Sequence, residues 1–265
     1  MRDLLLKAIE AAVLAGNEIM KVYSGEFKVV LKSDNSPLTL ADEKANTVIN
    51  TALKATNIPI ISEENAEVPF SERKTWKRCW VVDPLDGTKE FVNRNGEFTV
   101  NIALIENGLP ILGVIYVPVA KTLYYAIVSE NRAYRAVLGN HQVSESIFEN
   151  SEIIQPDSKP NQELKVVASR SHLNDETESF INDLKLKGED VMIVSKGSSL
   201  KFCLLAEGEA HVYPRFAPTM EWDIAAGHAI CNAVGVKVHR VDAESDLKYN
   251  KENLLNPYFL ASTIL

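Results

Sequence analysis

The chain has 265 residues, of which 46% are hydrophobic and 24% charged, so it is long enough to bury a sizeable core. This composition excludes the collagen-like, disordered and small disulfide-stapled classes of protein. The 28 Lys and Arg residues against 36 Asp and Glu residues give a formal net charge of -8, which disfavours a protein that coats a long nucleic acid. The length favours two lobes that share one interface.

The three cysteines, Cys79, Cys203 and Cys231, are odd in number, widely spaced and without a C-x-x-C pair. We interpret them as buried thiols in a reducing compartment, not as a zinc or redox site. Near the N-terminus, Lys7 and Glu10 interrupt the apolar run before the core of a secretion signal could form. We therefore expect a cytoplasmic protein without a transmembrane segment; contact of its first helix with the inner membrane stays open.

Two helices are predicted in the first part of the chain. Residues 4–23 place apolar side chains at spacings of three and four, which is typical of an amphipathic helix. A polar loop follows at residues 32–37. The apolar positions of residues 41–53 then repeat helically, and either Thr39 or Asp42 lies near the start of this second helix.

Short β-branched or aromatic runs at residues 58–62 and 79–82 predict strands, and each leads into acidic residues. Residues 98–106, 111–117 and 123–128 predict further strands, for which an antiparallel meander is the simplest arrangement. A membrane helix over the same region is disfavoured because prolines break the apolar run.

Residues 149–163 are polar and without an apolar period, so we place the lobe boundary there. We expect an N-terminal αβ lobe at residues 1–155 and a C-terminal α/β lobe at residues 156–265. The second lobe alternates strand-like and helical segments, which indicates an α/β arrangement. Its predicted strands cover residues 165–169, 191–194, 211–213 and 236–238, and its helices cover 175–187, 200–207 and 223–233.

The most informative stretch is Asp83-Pro84-Leu85-Asp86-Gly87, which follows a predicted strand. Two carboxylates and a backbone carbonyl converge there, and the glycine permits a tight turn into a helix start. Together these groups suit a hard cation and a bound phosphate. An isolated stretch of this kind is more often a simple turn with a capping aspartate.

Two further acidic segments bear on the choice between a simple turn and a functional site. Ser62-Glu63-Glu64 ends another predicted strand, and Glu221-Trp222-Asp223 opens a predicted helix. Each has a structural explanation when taken alone: adjacent glutamates usually form a solvated face, and an aspartate in a first helical turn offsets the helix dipole. Their combination with the stretch after residue 82 favours a site.

These motifs, in this order, resemble the inositol monophosphatase superfamily of magnesium-dependent, lithium-sensitive phosphatases. The resemblance covers nearly the whole chain, from the loop at residues 32–42 to Leu255-Asn256-Pro257-Tyr258-Phe259. It implies a layered αβαβα sandwich of the sugar-phosphatase type, with an antiparallel sheet in the N-terminal lobe and an α/β C-terminal lobe.

The resemblance also implies a set of metal ligands. Glu64, Asp83 and the carbonyl of Leu85 would hold one Mg²⁺, while Asp83, Asp86 and Asp223 would hold a second. Mn²⁺ could substitute for Mg²⁺. Because every ligand is an oxygen, the set argues against zinc, which favours His and Cys.

The resemblance assigns a catalytic role to two further residues. Family members pair the threonine of the glycine–threonine motif with an aspartate from the upstream loop, and together these orient the attacking water. This sequence supplies Thr88 and Asp42. A structural role for Asp42 as a carboxylate near a helix N-terminus is compatible with the catalytic one.

Within the superfamily, several segments are similar to the 3′(2′),5′-bisphosphate nucleotidases. They are Lys89-Glu90, Ser169-Arg170-Ser171-His172, Lys196-Gly197-Ser198-Ser199-Leu200-Lys201-Phe202 and Tyr213-Pro214-Arg215. His211 departs from the acidic residue expected before the last of these segments, which leaves one local contact in doubt.

This closer resemblance implies how the substrate is held. Lys201 and Arg215 would hold the phosphate that is not cleaved, and the Gly87-Thr88 turn would grip the scissile 3′-phosphate. The full predicted substrate-binding set is Glu64, Leu85, Asp86, Gly87, Thr88, His172, Ser198, Lys201, Arg215 and Asp223.

We therefore expect a Mg²⁺-dependent phosphomonoesterase that removes the 3′-phosphate of 3′-phosphoadenosine 5′-phosphate, the by-product of sulfate activation, to give AMP. An inositol monophosphatase or broad sugar phosphatase with the same metals is the alternative within this class. A catalytically silent metal- or nucleotide-binding module is the alternative outside it. The expected partner is a small bisphosphate nucleotide, bound by a monomer or homodimer.

Overall fold

The computed structural model describes residues 1–26, 29–31, 37–158, 163–168, 174–243 and 245–264. Most of the predicted polar loop at residues 32–37 and the segment Ser169-Arg170-Ser171-His172 lie outside the described residues. Seven α-helices occur in the described ranges: α1 (Arg2–Tyr23), α2 (Leu40–Lys54), α3 (Phe70–Arg73), α4 (Thr88–Val92), α5 (Asp175–Leu186), α6 (Leu200–Ala206) and α7 (Glu221–Ala233).

The described strands form a short antiparallel pair and two larger sheets. The pair consists of β1 (Val29–Leu31) and β2 (Pro37–Thr39). The larger sheets contain β3 (Ile60–Ser62), β4 (Arg78–Asp86), β5 (Thr99–Glu106), β6 (Leu109–Val117), β7 (Thr122–Ile127), β8 (Arg132–Val137), β9 (Glu152–Ile154), β10 (Leu164–Ala168), β11 (Val191–Ser195), β12 (Val212–Arg215), β13 (Lys237–Arg240) and β14 (Phe259–Ser262).

The first large sheet has seven strands in the order β3-β4-β5-β6-β7-β8-β9. Only β3 and β4 run parallel; every later neighbour is antiparallel. This confirms the predicted meander and extends it by β8 and β9, which the sequence analysis did not predict.

The second large sheet has five strands in the order β11-β10-β12-β14-β13. Strand β10 runs parallel to β11 and β12, whereas β14 is antiparallel to β12 and β13. Parallel neighbours need a crossover, and α5 and α6 lie in the connections between these strands. The predicted α/β character of this region is confirmed.

The layers stack because each sheet buries apolar side chains on both faces. Helices α1 and α2 pack on one face of the seven-stranded sheet, where Ile9, Ile19 and Ile49 join the core. Helices α6 and α7 occupy the space between the sheets, and α5 covers the outer face of the five-stranded sheet. The result is the predicted αβαβα sandwich.

Gly113 in β6 allows α7 to lie close against the seven-stranded sheet. A Cβ atom at this position would collide with the backbone carbonyl oxygen of Ala226 and would lie 2.8 Å from the Cβ of Ala229. A residue without a side chain therefore sets the depth of α7 and, with it, the position of the residues at its N-terminal end.

Cys79, Cys203 and Cys231 are all buried and form no disulfide, as predicted. None of the helices in the described ranges is long and apolar enough to cross a membrane. The chain passes from the first sheet to the second between β9 and β10; the division into lobes at residue 155 stays a prediction.

Candidate active site

Strand β4 delivers two carboxylates to one end of the seven-stranded sheet. Asp83 is only 1% exposed, and its Oδ1 accepts a hydrogen bond from the Leu85 backbone N–H at 3.0 Å. The pairing of β4 with β5 shifts register between Asp83 and Asp86. This irregularity, at a proline that cannot donate to the ladder, breaks the strict alternation of side chains along the strand.

The turn after β4 requires the glycine that the sequence supplies. Gly87 has a φ of 92°, a left-handed conformation in which an L side chain is strained, and α4 begins at the next residue. A Cβ atom on Gly87 would also stand 3.2 Å from the Oε2 of Glu90. The turn therefore brings Thr88 back towards the residues that precede it.

The structure brings Thr88 and Asp42 together. The Thr88 hydroxyl lies 3.3 Å from Asp42 Oδ1 and 3.3 Å from the Leu85 carbonyl oxygen. The other carboxylate oxygen of Asp42 accepts hydrogen bonds from the Thr39 backbone N–H at 2.7 Å and from the Thr39 hydroxyl at 2.6 Å. Asp42 thus completes a capping box at the start of α2 and also faces Thr88.

Asp86 and Asp223 are joined through Ser199, the residue that immediately precedes α6. Asp86 Oδ2 accepts a hydrogen bond from the Ser199 backbone N–H at 2.6 Å and another from Asn101 Nδ2 at 3.2 Å. The Ser199 hydroxyl donates to the backbone carbonyl of Asp223 at 2.5 Å. The Asp223 side chain accepts from the Met220 backbone N–H at 2.9 Å, which fixes it in the first turn of α7.

Burial and mutual repulsion disfavour negative charge on the central carboxylates. Burial is the main reason that the pKa of Asp83 is raised well above its usual value, and the charges of Glu63, Asp86 and Asp223 raise it further. The pKa of Asp223 is also raised, chiefly by burial and then by the charge of Asp86. A bound cation would relieve both effects.

The donor set fits a hard divalent cation in its chemistry. Its side-chain donors are carboxylate oxygens, with the Leu85 carbonyl oxygen beside them, and this is the ligand type of Mg²⁺ and Mn²⁺. In the part of the chain that the structure describes, no group of three or more acidic, histidine or cysteine side chains is placed so that it could hold a metal ion. The charges of these carboxylates raise one another's pKa, but the side chains are not gathered around a single point.

Glu63 and Glu64 act on different parts of the site. The charge of Glu63 adds to the raised pKa of both Asp83 and Asp223. The charge of Glu64 instead contributes to the raised pKa of Asp42, which is due first to burial and is opposed by the hydrogen bonds from Thr39. The family resemblance implied Glu64 as a metal ligand, whereas it is the charge of Glu63 that acts on the central carboxylates.

A cavity of about 250 Å³ adjoins the acidic cluster. Its lining includes most of the predicted substrate-binding residues of the two lobes. These are Asp86, Gly87, Ser198, Lys201, Arg215 and Asp223. Glu64, Leu85 and Thr88 do not line it, and His172 lies outside the described residues.

Two of the cations that line this cavity, Lys201 and Arg215, are hydrogen-bonded to backbone carbonyl oxygens. Lys201 is 7% exposed, donates from Nζ to the Ser198 carbonyl oxygen at 2.9 Å and lies 5.5 Å from the centre of the Tyr213 ring. Arg215 donates from Nη2 to the Pro218 carbonyl oxygen at 3.2 Å. Among the described residues, neither the buried Nε of Arg215 nor the buried hydroxyl of Ser198 has a hydrogen-bond partner.

His211 stands where an acidic residue was expected, immediately before β12, and Arg215 is the last residue of that strand. His211 Nδ1 accepts a hydrogen bond from the Lys165 backbone N–H at 2.9 Å, and His211 Nε2 lies 3.2 Å from Asp157 Oδ2. His211 therefore ties the connection between the sheets to β10 and takes no part in the cavity.

Three polar residues that were not predicted from the sequence hold the site together: Glu97, Asn101 and Ser199. Glu97 accepts a hydrogen bond from the Gly197 backbone N–H at 2.9 Å and pairs with Lys196 at 3.4 Å. Ser199 belongs to the segment at residues 196–202 that is similar to the bisphosphate nucleotidases. Asn101 belongs to no such segment and lies in the buried strand β5. A polar side chain at such a position was the one available signal.

The stacking of two sheets and three helical layers, with acidic residues at the ends of β4 and α7, defines the phosphatase fold expected from the sequence. Residues 1–263 match the inositol monophosphatase family. The chain belongs to this family.

Individual proteins are similar to this chain over nearly its whole length. The chain is 46% identical over 261 residues to the 3′(2′),5′-bisphosphate nucleotidase CysQ of Salmonella typhimurium, an alignment that covers 97% of this chain and 98% of the relative. The crystal structure of CysQ from Bacteroides thetaiotaomicron is 49% identical and superposes with a TM-score of 0.88, covering 97% of this chain and 96% of the other. The extragenic suppressor protein suhB of Bartonella henselae, at 22% identity, 98% and 93% coverage and a TM-score of 0.76, shares the fold.

Proposed function

We propose that this protein is a 3′(2′),5′-bisphosphate nucleotidase, a phosphomonoesterase that converts 3′-phosphoadenosine 5′-phosphate into AMP and inorganic phosphate. One observation carries the proposal: a cavity adjoins the buried carboxylates, and its lining combines Asp86 and Asp223 with the cations Lys201 and Arg215. A substrate with two phosphates needs both kinds of group, one at the cleaved end and one at the held end. The named activity of the relatives supports the same reaction.

The metal site that we propose uses the oxygens of Asp83, Asp86, Asp223 and the Leu85 carbonyl. Glu63 joins them in this proposal, with Glu64 as the alternative from the sequence. Bound Mg²⁺, two ions in our proposal, would supply charge neutralisation at the phosphate and a more acidic water. Residues 1–155 would thus carry most ligands, and residues 156–265 would carry Asp223 and the nucleotide contacts.

Thr88 and Asp42 would orient the attacking water. Thr39 occupies Asp42 Oδ2 with two hydrogen bonds, which leaves the Oδ1 side facing Thr88. When the Thr88 hydroxyl donates its single proton to Asp42, its oxygen can accept a hydrogen bond from the water. The water is then held with a lone pair towards the phosphorus, and its proton has an acceptor.

Ser198, Lys201 and Arg215 would hold the 5′-phosphate. The buried hydroxyl of Ser198 and the buried Nε of Arg215 each have an unused donor among the described residues, and both line the cavity. A phosphate oxygen can satisfy such donors with charge-assisted hydrogen bonds. The binding energy gained there would hold the 3′-phosphate over the carboxylates.

The test is inorganic phosphate release from 3′-phosphoadenosine 5′-phosphate, inositol 1-phosphate and fructose 1,6-bisphosphate, with and without Mg²⁺. We expect release that depends on Mg²⁺ and a kcat/KM highest for the nucleotide. A higher kcat/KM for inositol phosphate or fructose bisphosphate would overturn the nucleotidase proposal in favour of the alternative within the class. No release from any substrate would leave a binding module.

A further inference from the structure

Ser199 is a buried junction between three elements of the fold. It is 2% exposed and immediately precedes α6. Its backbone N–H donates to Asp86 Oδ2 at 2.6 Å, and its hydroxyl donates to the Asp223 carbonyl oxygen at 2.5 Å. The same hydroxyl accepts from Asn101 Nδ2 at 2.9 Å. One small side chain therefore touches the backbone of α7 and a side chain of β5.

Asn101 sets the direction of the hydrogen bonds at this junction. The side chain is 1% exposed, and its Nδ2 donates one proton to Ser199 and lies 3.2 Å from Asp86 Oδ2 for the other. Its Oδ1 accepts from the Thr99 hydroxyl at 2.9 Å. The carboxylate of Asp86 can only accept, so it fixes which end of the amide carries the donors. Because the Ser199 proton is used on Asp223, the chain of donors runs from Asn101 through Ser199 to α7.

The junction restrains two carboxylate-bearing segments with respect to each other. Asp86 follows the register shift of β4, Asp223 lies in the first turn of α7, and both line the cavity. The negative charges of these two carboxylates repel each other. The hydrogen bonds from Ser199 and Asn101 act in the opposite sense, since they hold the Asp86 carboxylate and the α7 backbone to one common point.

We propose that Ser199 and Asn101 are positioning residues for metal binding: they hold Asp86 and Asp223 at the separation that a divalent cation needs. This proposal rests on the proposed function, because it takes these carboxylates as metal ligands. Hydrogen-bonded partners behind metal ligands contribute about 10- to 100-fold to metal affinity in comparable sites. Neither residue touches substrate in this proposal.

The experiment is calorimetric titration of the full chain with Mn²⁺ in the absence of substrate. The variants are Ser199→Ala, Asn101→Ala and the double variant, with Ser151→Ala as a matched control. Ser151 is half-buried and, like Ser199, donates to a backbone carbonyl, that of Ile147 at 2.6 Å, but it lies away from the site. Thermal unfolding of each variant without metal checks that it folds.

We expect the Mn²⁺ dissociation constant to rise about 10- to 100-fold in both single variants and to stay at the wild-type value in Ser151→Ala. The double variant should lose less than the product of the two single factors, because the two side chains share one hydrogen bond. Raising Mg²⁺ should restore most of kcat in Ser199→Ala, which a general loss of structure would not allow.

Unchanged Mn²⁺ affinity in the two single variants would overturn the proposal, and so would an equal loss in Ser151→Ala. Should Ser199→Ala fail to fold, Ser199→Cys replaces it, since it keeps the shape and donates only weakly. A wild-type protein that binds Mn²⁺ but releases no phosphate from the nucleotide would refute the proposed function alone. The titrations would still decide the positioning role.

Discussion

Thr88 and Asp42 are 46 residues apart in the chain, yet the hydroxyl of one lies 3.3 Å from the carboxylate of the other. Asp42 is held from behind by Thr39, and Thr88 is turned towards it by the left-handed conformation of Gly87. Two local devices, a helix cap and a glycine turn, thus bring together a pair that neither segment could form alone.

The first prediction separates this pair from metal binding. Thr88→Val keeps the shape of the side chain and removes the hydroxyl, so it should lower kcat by about 10²- to 10⁴-fold, the usual contribution of a positioned proton acceptor. Mn²⁺ affinity should change little, because the hydroxyl is not a proposed ligand. Thr122→Val, at a buried threonine that donates to the Ala120 carbonyl oxygen, is the control. A variant Thr88→Val with wild-type kcat would remove Thr88 from the mechanism.

The second prediction distinguishes the adjacent glutamates. Glu63 acts electrostatically on Asp83 and Asp223, whereas Glu64 acts on Asp42. Glu63→Gln should therefore weaken Mn²⁺ binding about tenfold or more, since the number of charged ligands sets cation affinity. Glu64→Gln should weaken it less. Calorimetric titration of both variants decides, and the opposite order would restore Glu64 as the ligand.

The third prediction concerns the phosphate that is not cleaved. Lys201→Met and Arg215→Ala each remove one charge-assisted contact, worth roughly 1.5–3 kcal/mol of binding. The KM for 3′-phosphoadenosine 5′-phosphate should rise roughly 10- to 150-fold, and kcat should fall less. Adenosine 3′-monophosphate, which lacks the held phosphate, is the control substrate. Equal losses of kcat/KM on the two nucleotides would mean that these side chains do not recognise the second phosphate.

The fourth prediction links His228 to the pH dependence of stability. His228 is 1% exposed within α7, and burial lowers its pKa to about 3, from 6.5 in the unfolded chain. The native protein therefore keeps this ring neutral, while the unfolded chain takes up a proton below pH 6.5. Its contribution is fully present above pH 6.5 and is lost as the pH falls towards 3, by about 2 kcal/mol between pH 7 and 5.

The measurement is urea unfolding at pH 7 and pH 5 for the wild type and for His228→Gln. The variant cannot titrate, so the decrease in its free energy of unfolding between the two pH values should be smaller by about the same 2 kcal/mol. The Nδ1 of His228 lies 2.8 Å from the Tyr249 hydroxyl, and the glutamine amide keeps a polar group there. An equal decrease in both proteins would contradict a buried neutral histidine.

The acidic ends of β4 and α7 could be predicted from the sequence because a strand pattern or a helix start precedes each carboxylate. The choice between Glu63 and Glu64 could not, since β3 ends at Ser62 and the alternation of side chains no longer applies beyond it. Strands β8 and β9 were missed because the preceding meander gave no indication of how far the sheet continues. Asn101 and Ser199 are hydrogen-bonded to each other although 98 residues separate them in the chain. A contact between residues so far apart gives no local sequence pattern from which it could be predicted.

Gly113 is needed for the position of α7 although it has no side chain that could take part in a reaction. Helix α7 lies directly on its backbone, so an added methyl group at Gly113 would displace the whole helix away from the sheet. Because Asp223 is carried by that helix, the displacement would move one proposed metal ligand with respect to the others. The proposed metal site therefore depends on a strand residue that has no reactive side chain of its own.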